Sequence, residues 1–216
     1  MTLELRLDNA GKSFLNQWLF RGVSQRWFAE KGRSLAILGA NGSGKSTMTL
    51  LMAGQLVPSE GSCKWFAEQQ ERPTPLGRLA LSSPALELPE EWTLTEWFEF
   101  QNKVIPFRKG HDLNKFIADC QYSNKVAKKP ISTFSSGMKQ RVKLALALWA
   151  DVPLSIVDEP LTNLDAQGEE LYRLWVSECL EHQSIIVASN RQEEYSFCEE
   201  HWQIGPQGMV VTAGSR

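Results

Sequence analysis

The chain has 216 residues, 42% of them hydrophobic, and a formal net charge of −2. That composition supplies a globular core of one large domain, or a core with a small subdomain. The scattered Lys and Arg residues make no basic field, which argues against a nucleic-acid partner, and no run approaches 18 consecutive apolar residues, which argues against a membrane span.

In chain order, residues 3–8 alternate apolar and charged side chains, the pattern of a half-buried strand and not of a signal peptide, so export is not expected. A short apolar run at 35–38 reads as a buried strand. It leads directly into residues 39–47, which fit G-x-x-x-x-G-K-[ST]. Gly39, Gly42 and Gly44 permit a tight loop whose N–H groups, with Asn41 and Ser43 in the same cradle, converge on the phosphates of a nucleotide. Lys45 adds a point charge there. Ser46, followed by Thr47, offers a hydroxyl to Mg²⁺, and the helix beginning near Gly44 aims its positive end at the anion. That helix is predicted over 43–53, with Gly54 as its stop.

Further strands are predicted near 79–82, 154–157 and 185–189, with a closing pair near 201–211 around Gly205, Pro206 and Gly208. This is an α/β layout. Residues 84–134 differ in texture: Pro84, Pro89, Pro106 and Pro130 punctuate amphipathic stretches at 92–104 and 113–122, which predicts a helical insert. The tetrad Trp-Phe-Ala-Glu occurs at 27–30 and again at 65–68, but the flanking residues do not repeat, so no internal duplication follows. Cys63, Cys120, Cys179 and Cys198 lack C-x-x-C or metal-ligand spacing and read as reduced, packed thiols.

The apolar strand at 154–157 ends in Asp158, Glu159 and Pro160. Carboxyl ends of strands are where open α/β sheets place ligand-binding groups. Asp158 is assigned to Mg²⁺ and Glu159 to a water in line with the γ-phosphate. Ahead of that strand, Met138, Val142, Ala145 and Trp149 fall on one face of a helix capped by Ser135. Its first N–H groups, around Ser136 and Gly137, offer a second anion site.

With residues 162–165 added, the chain resembles the nucleotide-binding subunits of ATP-binding cassette transporters over nearly its whole length. Residues 39–47 match that family's phosphate loop, and 134–140 are similar to its signature sequence, with the first Ser and second Gly kept as Ser135 and Gly137. Residues 154–159 match the strand of the Mg²⁺ aspartate and catalytic glutamate, and 162–165, ending in Asp165, match a loop at the dimer contact. Phe14, 25 residues before Gly39, fits the aromatic that stacks on adenine, with Trp18 a competitor. Pro58 and Gly61 match the turn after the first helix. The resemblance implies a P-loop NTPase fold: a mostly parallel core sheet, N-terminal antiparallel strands and a helical subdomain. All of 1–216 would form one cassette, with the core at about 1–83 and 150–216 and the subdomain at about 84–149.

The same resemblance implies an ATPase with ATP and Mg²⁺ as ligands that pairs head to tail with a second copy or a homologue. Ser135–Gly137 of one protomer would then face the nucleotide held by Lys45 of the other. The moving part would be a membrane permease on a separate chain, docked on 82–134 through residues such as Trp92, Trp97 and Phe98, so the cassette would sit at the cytoplasmic face of the membrane. Two positions depart from the pattern. Ser82 or Ser83 stands where the family has a glutamine near the metal, and Asn190 where it has a histidine near the γ-phosphate. An amide reaches less far than an imidazole and never carries charge, which implies slow hydrolysis. A soluble cassette that regulates or assembles a non-transport complex is the alternative; a kinase or GTPase on another P-loop fold leaves the signature and residues 162–165 unexplained.

Overall fold

Leu3, Leu5 and Leu7 are buried while their neighbours face outward, so the N-terminal alternation does build a strand. In the computed structural model, which describes residues 3–72, 77–204 and 210–213, this strand runs well past the expected 3–8, as β1 (Leu3–Phe14). Leu15 and Asn16, at φ 48° and 64°, turn it into β2 (Gln17–Ala29); positive φ at both central residues suits the right-handed twist of a hairpin. β4 (Glu60–Ala67) lies on the other side of β1 and β5 (Gln70–Arg72) beyond it, giving an antiparallel sheet in the order β2-β1-β4-β5.

The two Trp-Phe-Ala segments occupy matching registers on either side of β1. Trp27 and Trp65 both pair with Leu5, and Ala29 and Ala67 both pair with Leu3. Each places its tryptophan inward, 1% and 3% exposed, and its phenylalanine toward the outer face, where the Arg6 guanidinium stacks on Phe66 at 4.0 Å. The repetition reflects a shared environment across one central strand.

The second sheet has the order β10-β9-β3-β8-β7-β6, formed by β3 (Ser34–Leu38), β6 (Leu79–Ser82), β7 (Leu154–Asp158), β8 (Ser184–Ser189), β9 (Glu200–Ile204) and β10 (Val210–Ala213). All neighbours are parallel except β9 and β10. The turn near Gly205, Pro206 and Gly208 lies outside the described residues. Parallel strands covered on both faces read as continuous apolar runs, and all of β7 and β8 is buried. One face packs against α1 (Lys45–Met52) and the antiparallel sheet in a core of Leu35, Ile37, Met48, Met52, Ile156 and Ile186. The other packs against α5 (Ser136–Trp149) and α6 (Ala166–Leu180) through Val157, Val187, Trp149 and Tyr172.

Between β6 and β7 the chain forms α2 (Leu94–Val104), α3 (Leu113–Asp119), the short α4 (Asn124–Ala127) and then α5. α2 starts at a capping box in which Thr93 and Glu96 satisfy each other's backbone N–H groups. Phe98, expected on the surface, is core: it stacks on Phe107 at 4.7 Å and packs on Phe116. The exposed aromatics of this helical insert are Trp92 and Phe100, which sit around the half-buried Trp97 with ring centroids 5.4–5.9 Å apart. Cys120, Cys179 and Cys198 are buried and Cys63 partly so; burial pushes the Cys63 and Cys198 thiols up to about 12, keeping them protonated packing groups.

Candidate functional site

The sequence predicts a tight glycine loop between β3 and α1, and Gly44 shows why glycine is needed. Its φ is 99°, in the left-handed region, and a Cβ there would lie 3.2 Å from the Phe20 ring of β2. The loop therefore rests on the antiparallel sheet as well as on its own strand. Lys45 is 4% exposed, and its Nζ donates to the carbonyls of Gly39 at 2.8 Å and Ala40 at 3.2 Å. The ammonium is thereby held against the loop that the glycines shape.

Sheet order brings the other predicted groups to the same edge. β3, β8, β7 and β6 are consecutive and parallel, so their carboxyl ends present, side by side, the glycine loop, Asn190, the Asp158–Glu159 pair and the Ser82–Ser83 pair. Asn190 Nδ2 donates to Oδ1 of Asn41 at 2.8 Å, so the residue at the expected histidine position lies against the glycine loop. Asp158 is fully buried. Burial raises its carboxyl above the usual range, opposed by hydrogen bonds from Ser46 and Ser83 and by the Lys45 charge.

Could these residues take a divalent cation? Asp158 Oδ1 and Ser82 Oγ are both buried and, among the described residues, without a hydrogen-bond partner, and the Ser46 hydroxyl joins the same carboxylate. A buried carboxylate oxygen that lacks a donor, among hydroxyls, suits a hard, oxygen-seeking ion such as Mg²⁺. Of the two serines at the expected glutamine position, it is Ser83 that contacts Asp158, donating to Oδ2 at 3.2 Å.

Glu159 leaves the strand with φ 47°, a conformation that non-glycine residues hold only when the surroundings impose it. Here its N–H still donates to the Ala188 carbonyl at 2.9 Å, while Gln140 of α5 donates to the Pro160 carbonyl at 3.0 Å. The side chain is half-buried, with Thr162 Oγ1 at 3.5 Å from Oε2. Sequence reasoning passed over Glu194 on the short α7 (Gln192–Tyr195). Its buried carboxyl accepts the Leu161 N–H at 3.0 Å and the Ser189 hydroxyl, and burial raises it.

The predicted signature segment and the 162–165 segment touch within one chain. Ser135 caps α5, accepting the Met138 N–H at 3.3 Å, and Gly137 lies so close to Asn163 that a Cβ would stand 2.6 Å from its carbonyl oxygen. Asp165 caps α6 through the Gly168 N–H at 2.8 Å and pairs with Arg141 at 2.7 Å, which together lower its pKa. These residues line a surface concavity of about 330 Å³, and none of its lining comes from the glycine loop.

The sequence profile described as ABC transporter matches residues 25–162. The chain belongs to the ABC transporter family. Relatives of this ABC ATPase include the linearmycin resistance ATP-binding protein LnrL of Bacillus subtilis, 27% identical over 98% of this chain and 69% of that one. The Bacillus subtilis ABC transporter ATP-binding protein NatA is 28% identical, over 86% of this chain and 78% of its own. The cytochrome c biogenesis ATP-binding export protein CcmA of Rhodopseudomonas palustris is 29% identical, over 74% and 79%. Among solved structures, a dimeric ATP-binding cassette in a post-hydrolysis state bound to ADP and phosphate superposes with a TM-score of 0.79 at 19% identity, covering 98% of this chain and 99% of that one. A bacterial Atm1-family ABC exporter with ATP bound gives 0.79 at 20% identity, covering 100% and 39%. These likenesses establish the cassette fold.

Phe14 of this ABC ATPase is 48% exposed at the tip of the β1–β2 hairpin, touched by the Lys12 ammonium at 5.1 Å. Trp18 lies against Gly11, where a Cβ would meet its ring at 2.9 Å, and under the Arg21 guanidinium at 4.5 Å. Phe14 is the freer ring of the two. Across the molecule, a largely apolar groove of about 330 Å³ runs between the core and α2, lined among others by Leu79, Leu81, Leu88, Trp97, Ile105 and Leu146. Among the described residues no helix is long and apolar enough to cross a membrane.

Proposed function

We propose that this ABC ATPase binds ATP with Mg²⁺ in the 39–47 loop and pairs head to tail with a second copy or a homologous subunit, so that each nucleotide is closed by the Ser135–Gly137 segment of the partner. The observation that carries this is the division of one chain into two half-sites. The phosphate loop, Asp158, Glu159 and Asn190 gather at one sheet edge, while Ser135–Gly137 and Asp165 share a separate concavity to which the loop contributes nothing. A helix N-terminus that is capped, exposed and flanked by small residues fits an anion brought from outside the chain.

In that assembly Lys45 and the loop N–H groups neutralise the phosphates, and Phe14 stacks on the base. Ser46, Asp158 and Ser82 would hold Mg²⁺, which supplies charge neutralisation at the β- and γ-phosphates. Glu159 orients the attacking water and takes its proton, and the Asn190 amide donates to the γ-phosphate in place of a charged imidazole. Hydrolysis removes the group that both half-sites grip, so closure is lost and the protomers separate. That difference in affinity is the mechanical output. The apolar groove beside α2, with Trp97 in its wall and Trp92 and Phe100 next to it, receives an apolar cytoplasmic helix of a permease on a separate chain, which places the cassette at the inner face of the membrane.

The test is Glu159→Gln. With ATP and Mg²⁺ it should lose turnover by at least about 10³-fold and accumulate as a dimer in size-exclusion chromatography with light scattering, because the clamp closes and cannot reopen. Persistent turnover, or a monomer at every ATP concentration, removes the proposed mechanism.

A further inference from the structure

Ser83 is the most heavily bonded residue beside the Asp158 carboxylate. Its hydroxyl accepts the Ala85 N–H at 3.3 Å and donates to Asp158 Oδ2 at 3.2 Å. The amide thus uses an acceptor lone pair, and the single hydroxyl proton goes to the carboxylate. Its carbonyl accepts the Leu86 N–H at 3.1 Å and Nζ of Lys143 at 3.2 Å.

Lys143 is out of character with its surroundings. It lies in α5 between the fully buried Val142 and Leu144, and it lines the groove that Leu86, Leu88 and Leu146 make largely apolar, with Glu87 in the same wall. Holding an ammonium in such a wall carries a desolvation cost, and burial does lower its pKa. Among the described residues, its ammonium donates to the turn that aims Ser83 at Asp158.

We propose that Lys143 is a positioning residue for the metal-binding carboxylate: its ammonium pins the 83–86 turn, Ser83 thereby fixes Asp158 Oδ2, and Oδ1 is left directed to the cation. This rests on the assignment of Asp158 to Mg²⁺. Partners one bond removed from a metal ligand, as Ser83 is, typically change metal affinity by about 10–100-fold, and Lys143 stands one link further out. A neutral carbonyl contact places Lys143 at the lower end. The same side chain lines the groove, so it links the groove wall to the turn beside Asp158.

The experiment uses the full chain and a fluorescent trinitrophenyl-ATP titrated in excess Mg²⁺ and in EDTA, together with the Mg²⁺ dependence of ATP hydrolysis. Lys143→Met keeps the apolar stem and removes the charge, and Ser83→Ala removes the hydroxyl. Each should raise the half-saturating Mg²⁺ concentration about tenfold while binding in EDTA stays within about twofold. If the two act through one line, the double variant is no worse than either single one; independent actions would multiply to about a hundredfold. Lys143→Arg should recover most of the loss. A Mg²⁺ requirement for Lys143→Met within twofold of wild type, or multiplicative effects in the double variant, overturns the proposal. An unchanged Mg²⁺ requirement in Asp158→Asn overturns the metal assignment itself, and Lys143 with it.

Discussion

Gly137→Ala tests the contact that joins the two outward-facing segments. The added Cβ would stand 2.6 Å from the Asn163 carbonyl oxygen, about 0.8 Å short of the 3.4 Å at which ordinary contact begins. The obstacle is backbone, so no side-chain rotation relieves it; either the N-terminus of α5 or the 162–165 segment must move. Asn163 already sits at φ 64°, and Asp165 is held by its cap and by Arg141, so the segment has little slack. Forcing an extra methyl into such a contact costs about 1–3 kcal/mol, which in a chain of this size lowers the unfolding midpoint by roughly 2–12 °C. The kinetic effect should be larger, because a misplacement near 1 Å in a reacting assembly costs about a hundredfold. Steady-state ATPase should therefore fall about a hundredfold while ATP affinity of the monomer changes less than about threefold. Turnover and midpoint both equal to wild type would refute the contact. Equal losses in monomer binding and turnover would show that Gly137 serves its own chain's loop.

Asp158 and Glu194 both have carboxyls raised by burial, so each favours its protonated form in the fold, and the stability this gives is present at low pH and lost as pH rises through the raised folded pKa. Asp158→Asn should accordingly raise the unfolding midpoint of the nucleotide-free protein at neutral pH in EDTA while removing Mg²⁺-dependent turnover; a lower midpoint contradicts the burial argument. Asn190→His should increase turnover at least about tenfold, since one transition-state donor is typically worth 10²–10³, and an unchanged rate would show the amide sufficient. Phe14→Ala should weaken ATP binding about tenfold with little change in midpoint, whereas Trp18→Ala, which unpacks Gly11 and Arg21, should lower the midpoint with little change in binding; isothermal titration and thermal unfolding separate the two, and the reverse pattern reassigns the adenine contact.

The phosphate loop, Asp158 and Glu159 were legible in sequence because their chemistry ties residue type to position: glycine where φ is positive, acidic residues where a buried strand ends. β2 was not, because its burial does not alternate cleanly. Gly22 at φ 70° and several shifts of register with β1 break the period, and half-exposed Trp18 and Phe28 blur its faces. Phe98 and Phe100 are two residues apart on one helix, and only the packing of Phe107 and Phe116 makes the first one core. Lys143, Arg141 and Glu194 carried no local signal. Each has a partner 20 or more residues away, as Lys143 to Ser83 at 60, Arg141 to Asp165 at 24 and Glu194 to Leu161 at 33 show.

The buried carboxyl of Glu194 ties the segment after β8 to the segment after β7, gripping Ser189 on one side and the Leu161 amide on the other. Breaking that grip would strand polar groups in the interior at about 1–3 kcal/mol apiece. The stretch carrying Asn190 and the stretch running to Asp165 therefore share one buried anchor, so that neither can shift away from the Glu194 carboxyl without leaving a polar group unpaired.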